Sequence, residues 1–193
     1  MQARIAVFAS GSGTNAEQIF GYFRNHGSIS VGLLLSNKPD AYALVRAEKA
    51  GIASMVFTRD EFASGIVLEK LISAGITHLV LAGFLWLMPE ATVRHYAGRI
   101  INIHPALLPA FGGKGMYGMW VHEAVKASGA TTTGITIHEV NERYDEGRII
   151  FQASCPVDPQ DTPERIAEKV HALEYGHYPS TIDRWITSTY NEK

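Results

Sequence analysis

The sequence predicts a doubly wound α/β fold, a mostly parallel sheet with an antiparallel edge in its C-terminal half. Three observations carry that prediction. Short, uniformly apolar runs alternate with helical patterns over the first hundred residues, the periodicity turns to strict alternation at Thr132, and glycines and polar side chains collect where the apolar runs end. With 193 residues, 46% of them hydrophobic, the chain has enough apolar mass for one well-filled core, so a single domain over 1–193 is expected.

In chain order, strands are expected at Ile5 to Ala9, Val31 to Leu35, Ser54 to Phe57, His78 to Leu81 and Ile100 to Ile103. Helices are expected between them, at Asn15 to Asn25, Tyr42 to Ala50, Glu61 to Ala74 and Pro89 to Tyr96. Strands apolar on both faces need helices on both sides, and right-handed crossovers follow. Thr132 to Glu139 alternates, a polar turn runs through Asp145-Glu146-Gly147, and Arg148 to Ser154 returns, which reads as an antiparallel pair closing one edge. A last helix should begin near Pro163, whose fixed φ suits a first turn, with Asp161 and Thr162 as capping candidates.

Composition narrows the partners. The net charge is −2 and no run of Lys or Arg marks a nucleic-acid or membrane footprint, so small-molecule substrates are expected. The one cysteine, Cys155, cannot form an internal disulfide, and no CxxC or zinc-like spacing occurs among the eight histidines, so structural zinc is not expected. The chain begins without a basic, apolar leader and carries no apolar run of membrane-spanning length, which makes a cytoplasmic protein the expectation.

Three stretches carry chemistry. Ser10-Gly11-Ser12-Gly13-Thr14-Asn15 joins the first strand to the first helix, where glycines permit close backbone approach and free N–H groups favour a phosphate. It lacks the third glycine of a dinucleotide fingerprint, and Leu35-Ser36-Asn37 stands where an acid should end strand two, so NAD is disfavoured. Gly83 through Leu85, Trp86, Leu87 and Met88 leaves strand four as a bulky apolar cluster fit to wall a flat ring, or to be ordinary core. Asn102 and His104 point to one face at the end of strand five, an amide donor for an oxyanion beside a group that titrates near neutrality. Asp145 would orient His104 and raise its pKa, with His138 seven residues upstream; a solvated turn is the plainer reading of that segment.

Taken together, Asn102-x-His104-Pro105-x-Leu107-Leu108-Pro109, the upstream Ala82-Gly83-Phe84, the downstream Asp145-x-Gly147 and the Gly11 to Asn15 loop resemble the phosphoribosylglycinamide formyltransferases of purine biosynthesis. The resemblance runs from the first strand to the last helix. It implies a Rossmann-like formyltransferase fold, transfer of a formyl group from 10-formyltetrahydrofolate as cosubstrate to the amine of glycinamide ribonucleotide, and no metal. Carried over residue by residue, it implies catalytic roles for Asn102, His104 and Asp145, and substrate binding by Gly11, Ser12, Gly13, Thr14, Asn15, Gly83 and Glu174. It maps the folate site to Leu85, Trp86, Leu87, Met88, Asn102 and Asn141. Trp86 stands where many members carry Arg, Ala110 where many carry Lys, and Phe111 to Gly118 is read as a mobile glycine-rich loop near the entrance. The alternatives are a 10-formyltetrahydrofolate hydrolase, a formyltransferase for another amine, and a non-catalytic folate- or nucleotide-binding protein.

Overall fold

In the computed structural model, which describes residues 2–191, seven strands form one sheet in the order β3-β2-β1-β4-β5-β6-β7. The strands are β1 Ala3–Phe8, β2 Ile29–Ser36, β3 Ser54–Val56, β4 His78–Leu81, β5 Ile100–His104, β6 Thr132–Glu139 and β7 Ile149–Pro156. The first five pair in parallel, and β6 is antiparallel to both of its neighbours. This is the expected mixed sheet with its antiparallel edge.

Alternation along β1 shows why both faces must be covered. Ile5 and Val7 pack into one layer with α1 (Thr14–Phe23), α2 (Tyr42–Lys49), α6 (Met119–Ala127) and α7 (Pro163–Asn191). Ala6 and Phe8 face the other layer, with α3 (Arg59–Ala63), α4 (Ile66–Ser73) and α5 (Glu90–His95). Two helices differ from expectation. The segment expected as one helix over Glu61 to Ala74 is two: a capping box between Thr58 and Glu61 starts the first, and Gly65, at φ 91°, separates it from the second. The sequence reading also assigned no helix to α6, which follows the glycine-rich Phe111 to Gly118 loop. At the start of α7, Thr162 Oγ1 accepts the Arg165 N–H at 3.3 Å, while the Asp161 carboxylate accepts from Asp158 N and pairs with Lys169.

After β3 the chain crosses to the far side of β1 and enters β4, so the loops leaving β1 and β4 diverge and open a crevice at their carboxyl ends. α7 braces the floor of that crevice. Tyr178, fully buried, donates its hydroxyl to the Leu81 carbonyl at 2.8 Å and lies 3.3 Å from that of Ile101. Tyr178→Phe should therefore lower stability by about 1–2 kcal/mol through an unsatisfied buried carbonyl. Urea unfolding would show this as a lower midpoint at unchanged slope.

Candidate active site

The glycine loop is fixed from outside. The Gly11 carbonyl accepts from Ala43 N at 3.1 Å and the Ser12 carbonyl from Arg46 Nε at 2.9 Å, which occupies the loop's acceptors on the α2 side. Gly13 sits at φ 73°, and a Cβ there would come within 2.5 Å of Ala43, so only glycine serves. It is also the N-cap of α1 and supplies no side-chain cap, leaving the first N–H groups of that helix open to an anion. Ser10, unremarked in the sequence as a side chain, is the tie between loops: its Oγ donates to Asn37 Oδ1 at 2.7 Å and accepts from Leu85 N at 3.2 Å.

The strand register assembles the polar cluster. In the β5–β6 pairing Asn102 lies opposite His138 and His104 opposite Thr136, so all four share one face. Thr136 Oγ1 donates to the Ala106 carbonyl at 2.7 Å and accepts from Leu108 N at 2.9 Å, holding the turn that ends β5. Asp145, in the β6–β7 loop at φ 57°, reaches between the imidazoles: Oδ2 is 3.6 Å from His104 Nδ1 and Oδ1 is 3.6 Å from His138 Nε2. Gly113 N donates to Oδ2 at 2.8 Å. Gly147 lets this loop close, because a Cβ there would stand 1.6 Å from the Glu139 carbonyl oxygen.

The partners assign the tautomers. A carbonyl only accepts, so His138 carries its proton on Nδ1, donating to Glu139 O at 2.8 Å, and its bare Nε2 accepts from Asn102 Nδ2 at 3.1 Å. His104 likewise donates from Nε2 to the Phe111 carbonyl at 2.8 Å. The neutral ring then turns a bare Nδ1 toward a carboxylate that also only accepts, and 3.6 Å is a separation without a hydrogen bond.

Electrostatics agree with this resting state. Burial is the largest influence on His104 and pushes its pKa below the usual value, outweighing the upward pull of Asp145 and of the Phe111 carbonyl. The expected upward push from Asp145 is present, but the expected net rise is not: His104 is only 3% exposed, and losing water penalises the imidazolium more than one carboxylate repays. For Asp145, burial raises the carboxyl, while the Gly113 N–H and, whenever their facing nitrogens carry a proton, His138 and His104 bring it below the usual range. It stays ionised.

These groups line one cavity of about 770 Å³. Gly11, Ser12, Gly13, Thr14 and Asn15 line it, as do Lys38 and Glu174. Glu174 is buried, not an exposed helical charge. Burial raises its pKa, and Asn15 Nδ2 donates to its Oε2 at 2.9 Å. Gly83, Leu85, Trp86, Leu87 and Met88 line the cavity as well and join the glycine loop where Ser10 N donates to the Gly83 carbonyl at 3.0 Å. Trp86 also packs on Phe57, Phe62 and Phe84, with the Arg59 guanidinium 4.6 Å from its ring centre. Asn141 is not brought to the cavity: its Oδ1 accepts from Arg143 N at 2.9 Å and builds the turn, and Arg143 and Tyr144 line the cavity instead.

The formyl transferase family matches residues 3–182. The chain belongs to this family. A chloroplastic phosphoribosylglycinamide formyltransferase of Arabidopsis thaliana is 42% identical over 93% of this chain, and the chain spans 64% of that protein's length. It spans 60% of the corresponding Vigna unguiculata protein. The Haemophilus influenzae phosphoribosylglycinamide formyltransferase is 37% identical, with 95% of this chain and 87% of the relative aligned. Among solved structures, a phosphoribosylglycinamide formyltransferase from Bacillus halodurans superposes with a TM-score of 0.87 at 34% identity, covering 96% of each chain.

Within this formyl transferase chain, sequence reasoning passed over several contributors to the cavity, Lys38, Gly113, His122 and His171 among them. His122 and Gly113 belong to a segment read only as loop or left unassigned, and His171 precedes Glu174 by one helical turn. The i,i+3 spacing of His171 and Glu174 is the one signal that was available.

Burial of histidines makes stability pH-dependent. His78 and His122 are pushed down to about 4, chiefly by burial, and His104 is lowered for the same reason. The unfolded chain, whose histidines protonate near pH 6.5, therefore binds more protons below that pH than the folded one does. Stability should be full above about pH 6.5 and fall progressively toward pH 4. Chemical denaturation across that range would record a falling midpoint, and His122→Gln should flatten the fall.

Proposed function

We propose that this chain transfers the formyl group of 10-formyltetrahydrofolate to the amine of glycinamide ribonucleotide in purine biosynthesis, as a single-domain cytoplasmic enzyme acting on small molecules without a metal. One observation carries the reading: a single cavity joins an open helix N-terminus, a buried amide–imidazole–carboxylate cluster and an apolar wall. The names of the relatives support it, and the arrangement suits an acceptor whose phosphate meets the glycine loop and a cosubstrate whose flat ring meets the apolar wall.

In this reading the phosphate rests on Gly11 to Asn15, with Thr14 adding a donor and Glu174 taking hydrogen bonds from the acceptor. Gly83 and the Leu85 to Met88 wall hold the pterin. Holding both reactants converts a bimolecular encounter into an oriented one. The amine nitrogen bonds to the formyl carbon, and the carbonyl oxygen becomes an oxyanion that accepts from Asn102 Nδ2 and from His104 Nε2–H, the latter released from the Phe111 carbonyl. The nitrogen that attacked loses a proton, N10 of the folate gains one, and the bond from carbon to N10 breaks. His104 is the group placed to pass that proton, and Asp145 stabilises the imidazolium formed on the way.

Purified protein with 10-formyltetrahydrofolate should form tetrahydrofolate only when glycinamide ribonucleotide is added; product without it would identify a hydrolase. Asp145→Asn keeps an oxygen for Gly113 N but removes the charge that raises the His104 pKa. Its kcat should fall on the order of a hundredfold with little change in either KM. A folded Asn variant with near-normal turnover would return Asp145 to the role of a turn residue.

A further inference from the structure

His122, on α6, takes no part in the cluster around Asp145, yet it lines the same cavity and is only 2% exposed. Its Nδ1 is closed off from solvent and has no hydrogen-bond partner. Burial first, then the nearby His171 and His104, keep the ring neutral, with a pKa of about 4. A neutral imidazole has one proton to place. Putting it on Nδ1 would bury an N–H with nothing to receive it, so the proton belongs on Nε2. Because Nδ1 is shut away, Nε2 is also the polar atom that the ring can offer to a molecule in the cavity.

A second observation places that offer beside the groups assigned to the amine substrate. Asn15 Oδ1 is likewise buried without a partner, although the same amide donates to Glu174. Glu174 lies one turn beyond His171 on α7, and the His171 ring centre is 6.4 Å from that of His122. His122, His171, Glu174 and Asn15 thus line one cavity, which sets the His122 Nε2–H among the groups expected to meet the acceptor.

We propose that His122 is a further binding residue for the amine substrate, donating its Nε2–H to an oxygen of that substrate. This rests on the acceptor assigned above, which offers such oxygens on its phosphate, its ribose hydroxyls and its glycinamide carbonyl. A phosphate oxygen would make the bond charge-assisted; a carbonyl would make it a guide for the amine.

The test separates His122 from the function itself. His122→Leu keeps bulk and removes the donor, whereas His122→Gln keeps an N–H. With 10-formyltetrahydrofolate as cosubstrate, Leu should raise the KM for glycinamide ribonucleotide about tenfold, Gln should recover most of that loss, and the folate KM should not move. Binding of ribose 5-phosphate, weakened by Leu, would place the bond on the phosphoribosyl part, and the same loss with inorganic phosphate would identify the phosphate oxygen. Weakening confined to the complete ribonucleotide would identify the carbonyl. Nitrogen NMR of the unaltered protein needs no variant: the His122 ring should be protonated on Nε2, and that resonance should shift when glycinamide ribonucleotide is added. A folded Leu variant with an unchanged acceptor KM, a Gln variant no better than Leu, or a ring protonated on Nδ1 and indifferent to the ribonucleotide would overturn the proposal. Absence of product from the unaltered protein would instead overturn the assigned function.

Discussion

The reversal of strand direction between β5 and β6 is the constraint on which the site depends. A parallel neighbour would have needed a crossover and would have set another strand end beside His104. The antiparallel neighbour instead lays Thr136 and His138 directly across from His104 and Asn102. It also runs past β5, since Thr132 to Ile135 pair only with β7. Thr136 can then hold the turn after β5, and Gln152 of β7 supports it, donating from Nε2 to Thr136 Oγ1 at 2.9 Å and lying 3.1 Å from the Leu108 carbonyl. The amide and the imidazole are therefore positioned by three strands, while the glycine loop is positioned by helices α1 and α2. Rigid elements set the polar groups, and the loops between them supply the walls.

Within that frame, water exclusion has two opposed effects. It holds His104 neutral, because an imidazolium with 3% exposure has lost nearly all of its hydration. The same low dielectric strengthens the Gly113 N–H bond to the Asp145 carboxylate, and would strengthen the attraction of Asp145 to His104 once that ring is protonated. The pair thus rests as a neutral ring facing a ready anion. A proton arriving at Nδ1 would turn a contact between two acceptors into an ion pair.

The sequence made much of this legible, for reasons that can be located. Uniform apolar runs at Ile5 to Ala9 and His78 to Leu81 are visible because both faces of those strands are buried, and the change of period at Thr132 is visible because β6 and β7 close an edge. Asn102 and His104 stand out as polar residues ending an apolar run. What stayed hidden depends on distance in the chain. The break at Gly65 is a backbone choice, and a lone glycine inside a helical pattern does not announce it. Asn141 and Asp145 share one polar turn, and only the folded loop shows that Asp145 reaches the imidazoles while Asn141 builds the turn. The net direction of the His104 pKa was out of reach, since it is a contest between burial and one charge, and sequence supplies only the charge.

The glycine-rich segment connects these themes. Phe111 offers its carbonyl to His104, and Gly113 offers its N–H to Asp145, so two backbone groups two residues apart satisfy both members of the reacting pair at once. Phe111 is held at φ 55° to do so. With no substrate in the cavity, those contacts keep a buried donor and a buried anion from going unsatisfied. They also occupy the proton that an oxyanion would need. An incoming formyl oxygen must therefore compete with the Phe111 carbonyl for His104 Nε2–H. A neutral carbonyl oxygen of the ground state competes on equal terms, whereas a negatively charged oxygen forms the stronger, charge-assisted bond. The exchange is favourable only as charge develops, so the arrangement favours the transition state over the bound substrate.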